Sequence, residues 1–91
     1  MLKKKNSGGS RKTGFLKKNK KNSPLISIIT VVLNNKKFLQ QTIDSVHNQS
    51  YKNYEHIIVD GKSTDGTLDI LRKNNLKIDL WISESDKGIY D

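Results

Sequence analysis

The order of β-rich and helical segments after Pro24 constrains the fold of this chain more than any other feature. Residues 25–33 and 54–59 are apolar, β-branched runs, and residues 78–83 alternate apolar with polar side chains. The segments between these runs place their apolar residues at helical spacings. A helix between two short strands indicates a right-handed parallel crossover. The sequence therefore predicts an α/β fold with a Rossmann-like parallel sheet in the order βαβαβ, which we expect to be incomplete because the chain stops after the third strand.

The residues inside and beside these strands give finer expectations. Only Ser27 and Thr30 interrupt the first apolar run, which predicts a strand buried on both faces, as parallel sheets require. The alternation in residues 78–83 predicts a strand with one better-covered face. Polar residues after the strands predict helix starts, with Asn35 as the first N-cap. The candidate N-caps of the second helix are Ser63, Thr64 and Asp65.

The first 23 residues differ from the rest of the chain in charge. They carry nine of the 17 Lys and Arg residues and none of the nine Asp and Glu residues. This composition predicts a basic disordered tail over residues 1–23 and a folded part over residues 24–91. The tail is open to two interpretations: attraction to anionic lipid headgroups or nucleic acid, or the role of a solubilising leader, which we favour. The nearly neutral folded part gives no electrostatic argument for nucleic-acid binding.

Composition also excludes several classes of protein. The chain has no cysteine, which excludes disulfides and thiolate metal sites and fits a cytoplasmic protein. Its longest apolar run, residues 28–33, is far shorter than the ~20 residues that a membrane-spanning helix needs. At 91 residues the chain has room for one small domain.

Three short motifs resemble phosphate, dinucleotide or calcium loops, and each fails. Residues 61–63 resemble the end of a P-loop, but His56 stands where that motif requires glycine. The turn after the first strand, residues 34–36, lacks the glycine that admits a pyrophosphate. Residues 60–66 resemble a calcium loop, but Lys62 occupies the position of an oxygen ligand.

Asp60 is the strongest candidate for a binding residue. It follows the second strand directly, at the edge where open α/β sheets bind nucleotides. A carboxylate there can accept hydrogen bonds from a base N–H or a ribose hydroxyl. The alternative is a structural cap, with the carboxylate accepting from the backbone N–H of Ser63 or Thr64.

The remaining candidates are weaker. Glu84 and Asp86 form an acid-x-acid triplet whose oxygens suit Mg²⁺ or Mn²⁺, although two acids after a strand are more often solvated. His47 and His56 have no partner in the sequence pattern that predicts a triad or a metal site.

Residues 25–91 resemble the amino-terminal part of a family 2 glycosyltransferase with the GT-A fold. The matching segments are SIITVVLNN, TIDSVHNQSYKNYEHIIVDGKSTDGT and WISESDKGIYD. The resemblance is strongest to the bacterial branch that makes capsule, O-antigen and exopolysaccharide. It implies transfer of a sugar from a nucleotide-sugar donor to a glycan or lipid-linked acceptor, with inverting displacement at the anomeric carbon in the intact enzyme.

The resemblance also implies a nucleotide site. In the family the end of the first strand, here Thr30, Val31 and Val32, lines the base and ribose, and the acid after the second strand, here Asp60, sits by the base. Gly61 departs from the many members that carry a second acid contacting uracil at this position, so no uridine specificity is implied. Asp86 and Gly88 match the loop that closes over the nucleotide, and glycine lets the backbone approach it.

The chemistry itself is expected to lie outside this span. The resemblance implies a divalent metal, Mg²⁺ or Mn²⁺, held by an acid-x-acid motif after a fourth strand, and a catalytic base further on. We therefore expect no catalytic residue and no metal ligand within the 91 residues, and an inactive chain in isolation. The implied location is cytoplasmic, at the inner face of the membrane. The alternative function is a non-catalytic nucleotide- or polyanion-binding module that acts through its basic tail.

Overall fold

A computed structural model of the chain describes residues 6–13 and 17–84. These residues form one sheet in the order β1-β4-β3-β2, in which β2, β3 and β4 are parallel and β1 is antiparallel to β4. The α/β fold with a Rossmann-like sheet is confirmed. The elements are β1 (Asn6–Gly8), a 3₁₀ helix (Ser10–Thr13), β2 (Ile26–Val32), α1 (Lys36–His47), β3 (Tyr54–Asp60), α2 (Thr67–Lys73) and β4 (Leu80–Ser83).

The core lies on one face of the sheet, against the two helices. Alternate residues of β3, from Tyr54 to Asp60, are buried because successive strand side chains point to opposite faces. The helices contribute Leu39 and Ile43 from α1 and Leu71 from α2, whereas Phe38 of α1 is 48% exposed. The core cluster comprises Val32, Leu39, Ile43, Ile58, Leu71, Ile78 and Trp81, with Leu68 and Ile70 packed against it.

The two helices begin in different ways. The Asn35 side chain accepts a hydrogen bond from the backbone N–H of Phe38 (3.4 Å), as predicted for an N-cap. The N-cap of α2 is Gly66, in the left-handed conformation with φ of 96°, and not one of the three polar residues before it. Glycine takes this conformation without steric cost, and Asp65 still accepts a hydrogen bond from the Thr67 N–H (3.1 Å).

One expectation about burial is wrong. The first strand, β2, is not buried on both faces, since Ile29 and Val31 are 65% and 60% exposed. Its neighbours explain this, because β2 is an edge strand and its outward face meets no helix in the described part of the chain. The expectation of one better-covered face is confirmed for β4, where Trp81 and Ser83 are buried and Leu80 and Ile82 are only partly buried.

The prediction of a disordered tail is wrong for the described residues before Pro24. Residues 6–8 add a strand to the edge of β4, in register with residues 81–83. Gly8 permits this contact, because a Cβ atom there would lie 2.7 Å from the Trp81 ring. The Gly9 N–H donates to the Asn75 side chain (2.7 Å). Backbone hydrogen bonds to an open sheet edge thus order a segment with almost no apolar side chains.

Ion pairs hold this segment against the domain. Arg11 pairs with Glu55, and the Lys17 ammonium lies 3.2 Å from the Asp79 carboxylate. Lys17 also donates to the Tyr54 carbonyl (2.6 Å) and lies over the Tyr54 ring. At least two of the nine basic residues therefore serve the fold itself. The division of the chain at residue 24 stays a prediction.

Candidate functional site

The carboxyl ends of the three parallel strands meet at one edge of the sheet. Val32, Asp60 and Ser83 are register partners on β2, β3 and β4, so the three residues lie side by side. The turns that lead into α1 and α2 leave the sheet at this edge. Open α/β sheets bind ligands in this position, because strand-end backbone groups are free of sheet pairing there.

The Asp60 carboxylate lies at the centre of this edge and is fully buried. It accepts hydrogen bonds from the Ser83 hydroxyl (2.8 Å), the Ser63 N–H (3.2 Å) and the Ser63 hydroxyl. The Asp60 backbone carbonyl accepts from the Glu84 N–H (2.9 Å). Both carboxylate oxygens therefore have partners within the fold, in the arrangement that the capping alternative predicted for Ser63.

The two turns at the edge are hydrogen-bonded to each other. The Asn34 N–H donates to the Ser63 hydroxyl (2.7 Å), and the Asn34 side chain accepts from the Thr64 N–H (2.7 Å). The Lys36 N–H donates to the Asp65 carboxylate (3.2 Å). Asn34 has a φ of 47°, a left-handed conformation that asparagine tolerates better than most residues. The edge is thus one connected polar unit built from both turns.

Hydrogen bonds from neighbouring groups favour the charged form of Asp65 in this polar unit. The hydrogen bond from the Thr67 hydroxyl lowers the pKa of the Asp65 carboxyl, and the Lys36 N–H adds to the effect. Asp65 is therefore held as a carboxylate between the start of α1 and the start of α2.

The structure brings some of the predicted site residues together and separates others. Val32, Asp60 and Gly61 meet at the edge, where the Gly61 N–H donates to the Val32 carbonyl (3.0 Å). Val31 faces the opposite side of the sheet from Val32 and is exposed. Thr30 lies two residues before Val32 and faces the same, helix-covered side of the sheet. There its hydroxyl contacts His56. The two remaining predicted site residues, Asp86 and Gly88, lie outside the described residues.

Sequence reasoning missed two residues of this edge. The sequence pattern places Ser83 only in a strand and Asn34 only in a turn. Each is a polar residue at or just after a strand end, which is a usable signal. Their partners lie 23 and 29 or 30 positions away in the chain, so local patterns do not reveal the contacts.

His56 is a second buried polar residue, on the helix side of β3. Its Nε2 lies 2.8 Å from the Thr30 hydroxyl, and its backbone N–H donates to the Asp79 carboxylate (2.7 Å). Its Nδ1 has no hydrogen-bond partner among the described residues. Burial lowers the pKa of His56, and the nearby Asp79 charge only partly opposes this. The ring is therefore a neutral member of the core.

The described residues form no cluster of possible metal ligands. Among residues 6–13 and 17–84, no three His, Asp or Glu side chains are grouped closely enough to hold an ion. Glu84 is described, whereas its triplet partner Asp86 is not. Within the same residues, no helix combines the length and the apolar character needed to cross a bilayer.

Comparison with known proteins gives consistent matches. The model of the family described as "Glycosyl transferase family 2" matches residues 27–82. A putative teichuronic acid biosynthesis glycosyltransferase of Bacillus subtilis is 48% identical over 50 residues, which is 55% of this chain and 20% of that protein. An uncharacterised glycosyltransferase of Mycobacterium tuberculosis is 39% identical over 70 residues, which is 76% of this chain and 27% of that protein.

An archaeal relative extends the range of the matches. It is the dolichyl N-acetyl-alpha-D-glucosaminyl phosphate 3-beta-D-2,3-diacetamido-2,3-dideoxy-beta-D-glucuronosyltransferase of Methanococcus voltae, 39% identical over 72 residues, or 71% of this chain and 22% of that protein. The chain thus spans about a quarter or less of the length of these relatives. No solved structure gives a significant match.

Proposed function

Because the chain belongs to glycosyl transferase family 2, we propose that it is the nucleotide-binding part of an enzyme that transfers a sugar from a nucleotide-sugar donor to a glycan or lipid-linked acceptor. The observation that carries the proposal is the polar unit at the carboxyl edge of the sheet. There Asp60 and the two hydrogen-bonded turns lie where open α/β sheets receive nucleotides.

The proposed task of this edge is to orient the donor. Among the described residues the Ser63 hydroxyl is the only donor to Oδ1 of Asp60, so its rotation would free that oxygen while the Ser63 N–H and the Ser83 hydroxyl still hold Oδ2. One carboxylate oxygen would then accept a hydrogen bond from a base N–H or a ribose hydroxyl. In the intact enzyme a carboxylate elsewhere would take the acceptor's proton. The proposal gives the described residues no metal-binding role.

The acceptor class and location are part of the same proposal. The printed names of two relatives refer to teichuronic acid biosynthesis and to a dolichyl-linked sugar phosphate. These names support a cell-surface glycan or a lipid-linked acceptor, and a site of action in the cytoplasm at the inner face of the membrane. The alternative, a polyanion-binding module acting through the basic tail, loses support because Arg11 and Lys17 are engaged with Glu55 and Asp79.

The test is a titration of the ¹⁵N-labelled chain with nucleotide-sugars that carry different bases, followed by NMR. We expect amide shifts at Gly61, Thr64 and Asn34 that saturate with donor and persist when salt is raised. An equal titration with inorganic polyphosphate is the control for charge alone, since binding through lysines weakens steeply with salt. Shifts confined to the basic residues before Pro24, or absent at millimolar donor, would contradict the proposal.

A further inference from the structure

The two carboxylate oxygens of Asp60 are held unequally. Oδ2 accepts hydrogen bonds from the Ser83 hydroxyl (2.8 Å) and the Ser63 N–H (3.2 Å), whereas Oδ1 accepts from the Ser63 hydroxyl alone among the described residues. Ser63 lies in the turn directly after Asp60, while Ser83 belongs to the neighbouring strand. Ser83 is therefore the contact that fixes the carboxylate relative to the sheet and sets the direction in which Oδ1 faces.

Ser83 has no hydrogen left to donate to a ligand. It is the last residue of β4, lies opposite Asp60 in the β3–β4 ladder and is only 7% exposed. A hydroxyl carries one hydrogen, and the Ser83 hydroxyl donates it to Asp60. An effect of Ser83 on a ligand at this edge must therefore pass through Asp60.

The amino-terminal segment, residues 6–11, holds β4 from its other side. β4 has four residues and pairs along one side with β3, whereas its other side pairs with β1, where Asn6 lies opposite Ser83. The Ser10 and Arg11 N–H groups donate to the two backbone carbonyls just before β4 (both 2.8 Å). Strand ends with few backbone hydrogen bonds open locally at low cost. The position of Ser83 therefore depends on the docking of this segment.

We propose, in an inference that rests on the proposed function, that Ser83 is a positioning residue of the donor site and that the docked amino-terminal segment keeps it in place. With the Ser83 hydrogen bond made, Oδ1 stays turned to the Ser63 hydroxyl, which a base N–H or a ribose hydroxyl then replaces. Without that bond the carboxylate can rotate, and only a fraction of the chains has Oδ1 in the binding position. The apparent donor affinity falls by that fraction. Because linkage is reciprocal, donor binding in turn strengthens docking of the segment.

Variants of Ser83 test the positioning role in the NMR titration with nucleotide-sugars. Ser83→Ala removes the hydroxyl, and we expect donor affinity to fall at least about fivefold, whereas Ser83→Thr retains a hydroxyl and should recover most of it. Ser27→Ala is the matched control, because the Ser27 hydroxyl also donates to a carboxylate on the neighbouring strand, that of Glu55 (2.7 Å), at the other end of the sheet. Donor affinity should not change in this control.

Three results of this titration would overturn the positioning role. They are unchanged donor affinity in folded Ser83→Ala, an equal loss in Ser27→Ala, and a loss in Ser83→Thr as large as that in Ser83→Ala. The recovery in Ser83→Thr separates positioning by the hydroxyl from a general loss of packing.

Hydrogen exchange in the ligand-free chain tests the link to the amino-terminal segment separately from donor binding. Gly9→Ala should release the segment, because Gly9 has a φ of 109° and a Cβ atom there would lie 2.6 Å from the Asp79 backbone carbonyl oxygen. Ser7→Ala, a change on the same strand at a position without these constraints, is the control.

The amide of Ser63 reports on the site, because it donates to the Asp60 carboxylate. We expect it to exchange at least about fivefold faster in Gly9→Ala and at the original rate in Ser7→Ala. The Ile43 N–H in the middle of α1 should keep its rate in both variants, which excludes global unfolding as the cause. Equal exchange of the Ser63 N–H in the two variants would overturn the link between segment and site, even if the donor binds.

The reciprocal effect is measured in the unchanged chain with the nucleotide-sugar that binds most tightly in the titration. At saturation the Ser10 and Arg11 N–H groups should exchange more slowly than in the free chain. Exchange rates that do not respond to the bound donor would overturn the link as well. If no nucleotide-sugar binds, the proposed function fails, whereas exchange of the Ser63 N–H in Gly9→Ala still decides whether the segment positions the site.

Discussion

At the scale of single residues, Asp60 combines a structural duty with its proposed role. Its carboxylate is fully buried and takes hydrogen bonds from Ser63 and Ser83, which joins β3, β4 and the turn before α2. A ligand that recruits this carboxylate must share it with those donors. The proposed nucleotide binding and local stability are therefore linked at this position.

The variant Asp60→Asn is expected to lower stability as well as donor affinity. An amide has one acceptor oxygen, so its NH₂ group would face the Ser63 or Ser83 donors. Leaving a buried donor unsatisfied costs about 1–3 kcal/mol, and we expect a loss of that size in urea unfolding. Asp69→Asn, at an exposed position in the first turn of α2, is the control and should change stability by less than about 1 kcal/mol. Equal unfolding midpoints for the two variants would contradict the structural role.

Titration of His56 makes the free energy of unfolding depend on pH. This dependence falls in a pH range above the one in which carboxylates titrate. Burial lowers the pKa of His56 in the folded chain below the usual value of 6.5, so the unfolded chain binds the proton more readily. Stability is then fully present above pH 6.5 and falls as the pH drops below that value, by up to about 1.4 kcal/mol per pH unit. Urea unfolding between pH 7.5 and about 5.5 measures this slope.

Two variants isolate the contribution of His56 to that slope. His56→Met removes the titrating group from the core, and the slope should flatten even if overall stability changes. Gln41→Met, at an exposed position of α1, removes no titrating group, and the slope should stay as in the unchanged chain. The lowered pKa values of Glu55 and Asp65 place their titration below this window. An unaltered slope in His56→Met would rule out His56 as its source.

At the scale of elements, β1 depends on close backbone contact. A Cβ atom on Gly8 would lie 2.6 Å from the Asn75 side-chain oxygen and 2.7 Å from the Trp81 ring. We therefore expect Gly8→Ala to release β1 from β4, at a cost of roughly 1–3 kcal/mol, and to shift Trp81 fluorescence to longer wavelength as water reaches the ring. Ser7→Ala, one position earlier in the same strand, should leave the emission unchanged. A buried Trp81 in Gly8→Ala would show that the segment adjusts instead of detaching.

Elements that form through local interactions are predicted from the sequence. Elements that depend on contacts with distant residues are not. The periods of β2, α1, β3, α2 and β4 are local, so their order and approximate bounds follow from the pattern of apolar residues. Three residues of β1 carry no such pattern, and they are held by backbone pairing with a strand more than 70 positions later. The exposure of β2 was also beyond prediction, because it depends on the layer that packs against a strand.

The candidate site likewise has a part that the sequence predicts and a part that depends on distant residues. The rule that ligands bind at the carboxyl ends of parallel strands identified Asp60 from the sequence, and the cap to Ser63 was among its predicted alternatives. The hydroxyl of Ser83 and the amide of Asn34 reach the site only when the sheet forms, since their partners come from other elements. Packing across the sheet, rather than any motif, completes this edge.

At the scale of the whole molecule, three surfaces have separate characters. The carboxyl edge of the sheet is polar and hydrogen-bonded through both turns. The sheet face that carries Ile29 and Val31 is apolar, and the segment before Pro24 brings Arg11 against Glu55 of β3 and Lys17 against Asp79. The proposed donor site and this apolar face therefore lie on different sides of the same sheet.

The 91-residue chain is expected to bind a nucleotide-sugar without transferring the sugar. A general base alone contributes typically 10²–10⁴-fold to such reactions, and a metal that neutralises the departing diphosphate adds to this. In the proposed function the described residues orient the donor through Asp60, whereas a carboxylate elsewhere in the intact enzyme takes the acceptor's proton. Incubation with nucleotide-sugars should thus release no more nucleoside diphosphate than the heat-denatured chain does, measured by a coupled assay with and without Mn²⁺. Release of nucleoside diphosphate that requires the folded chain and disappears with a chelator would show that catalytic groups lie within these 91 residues. It would overturn the proposal that this span only orients the donor.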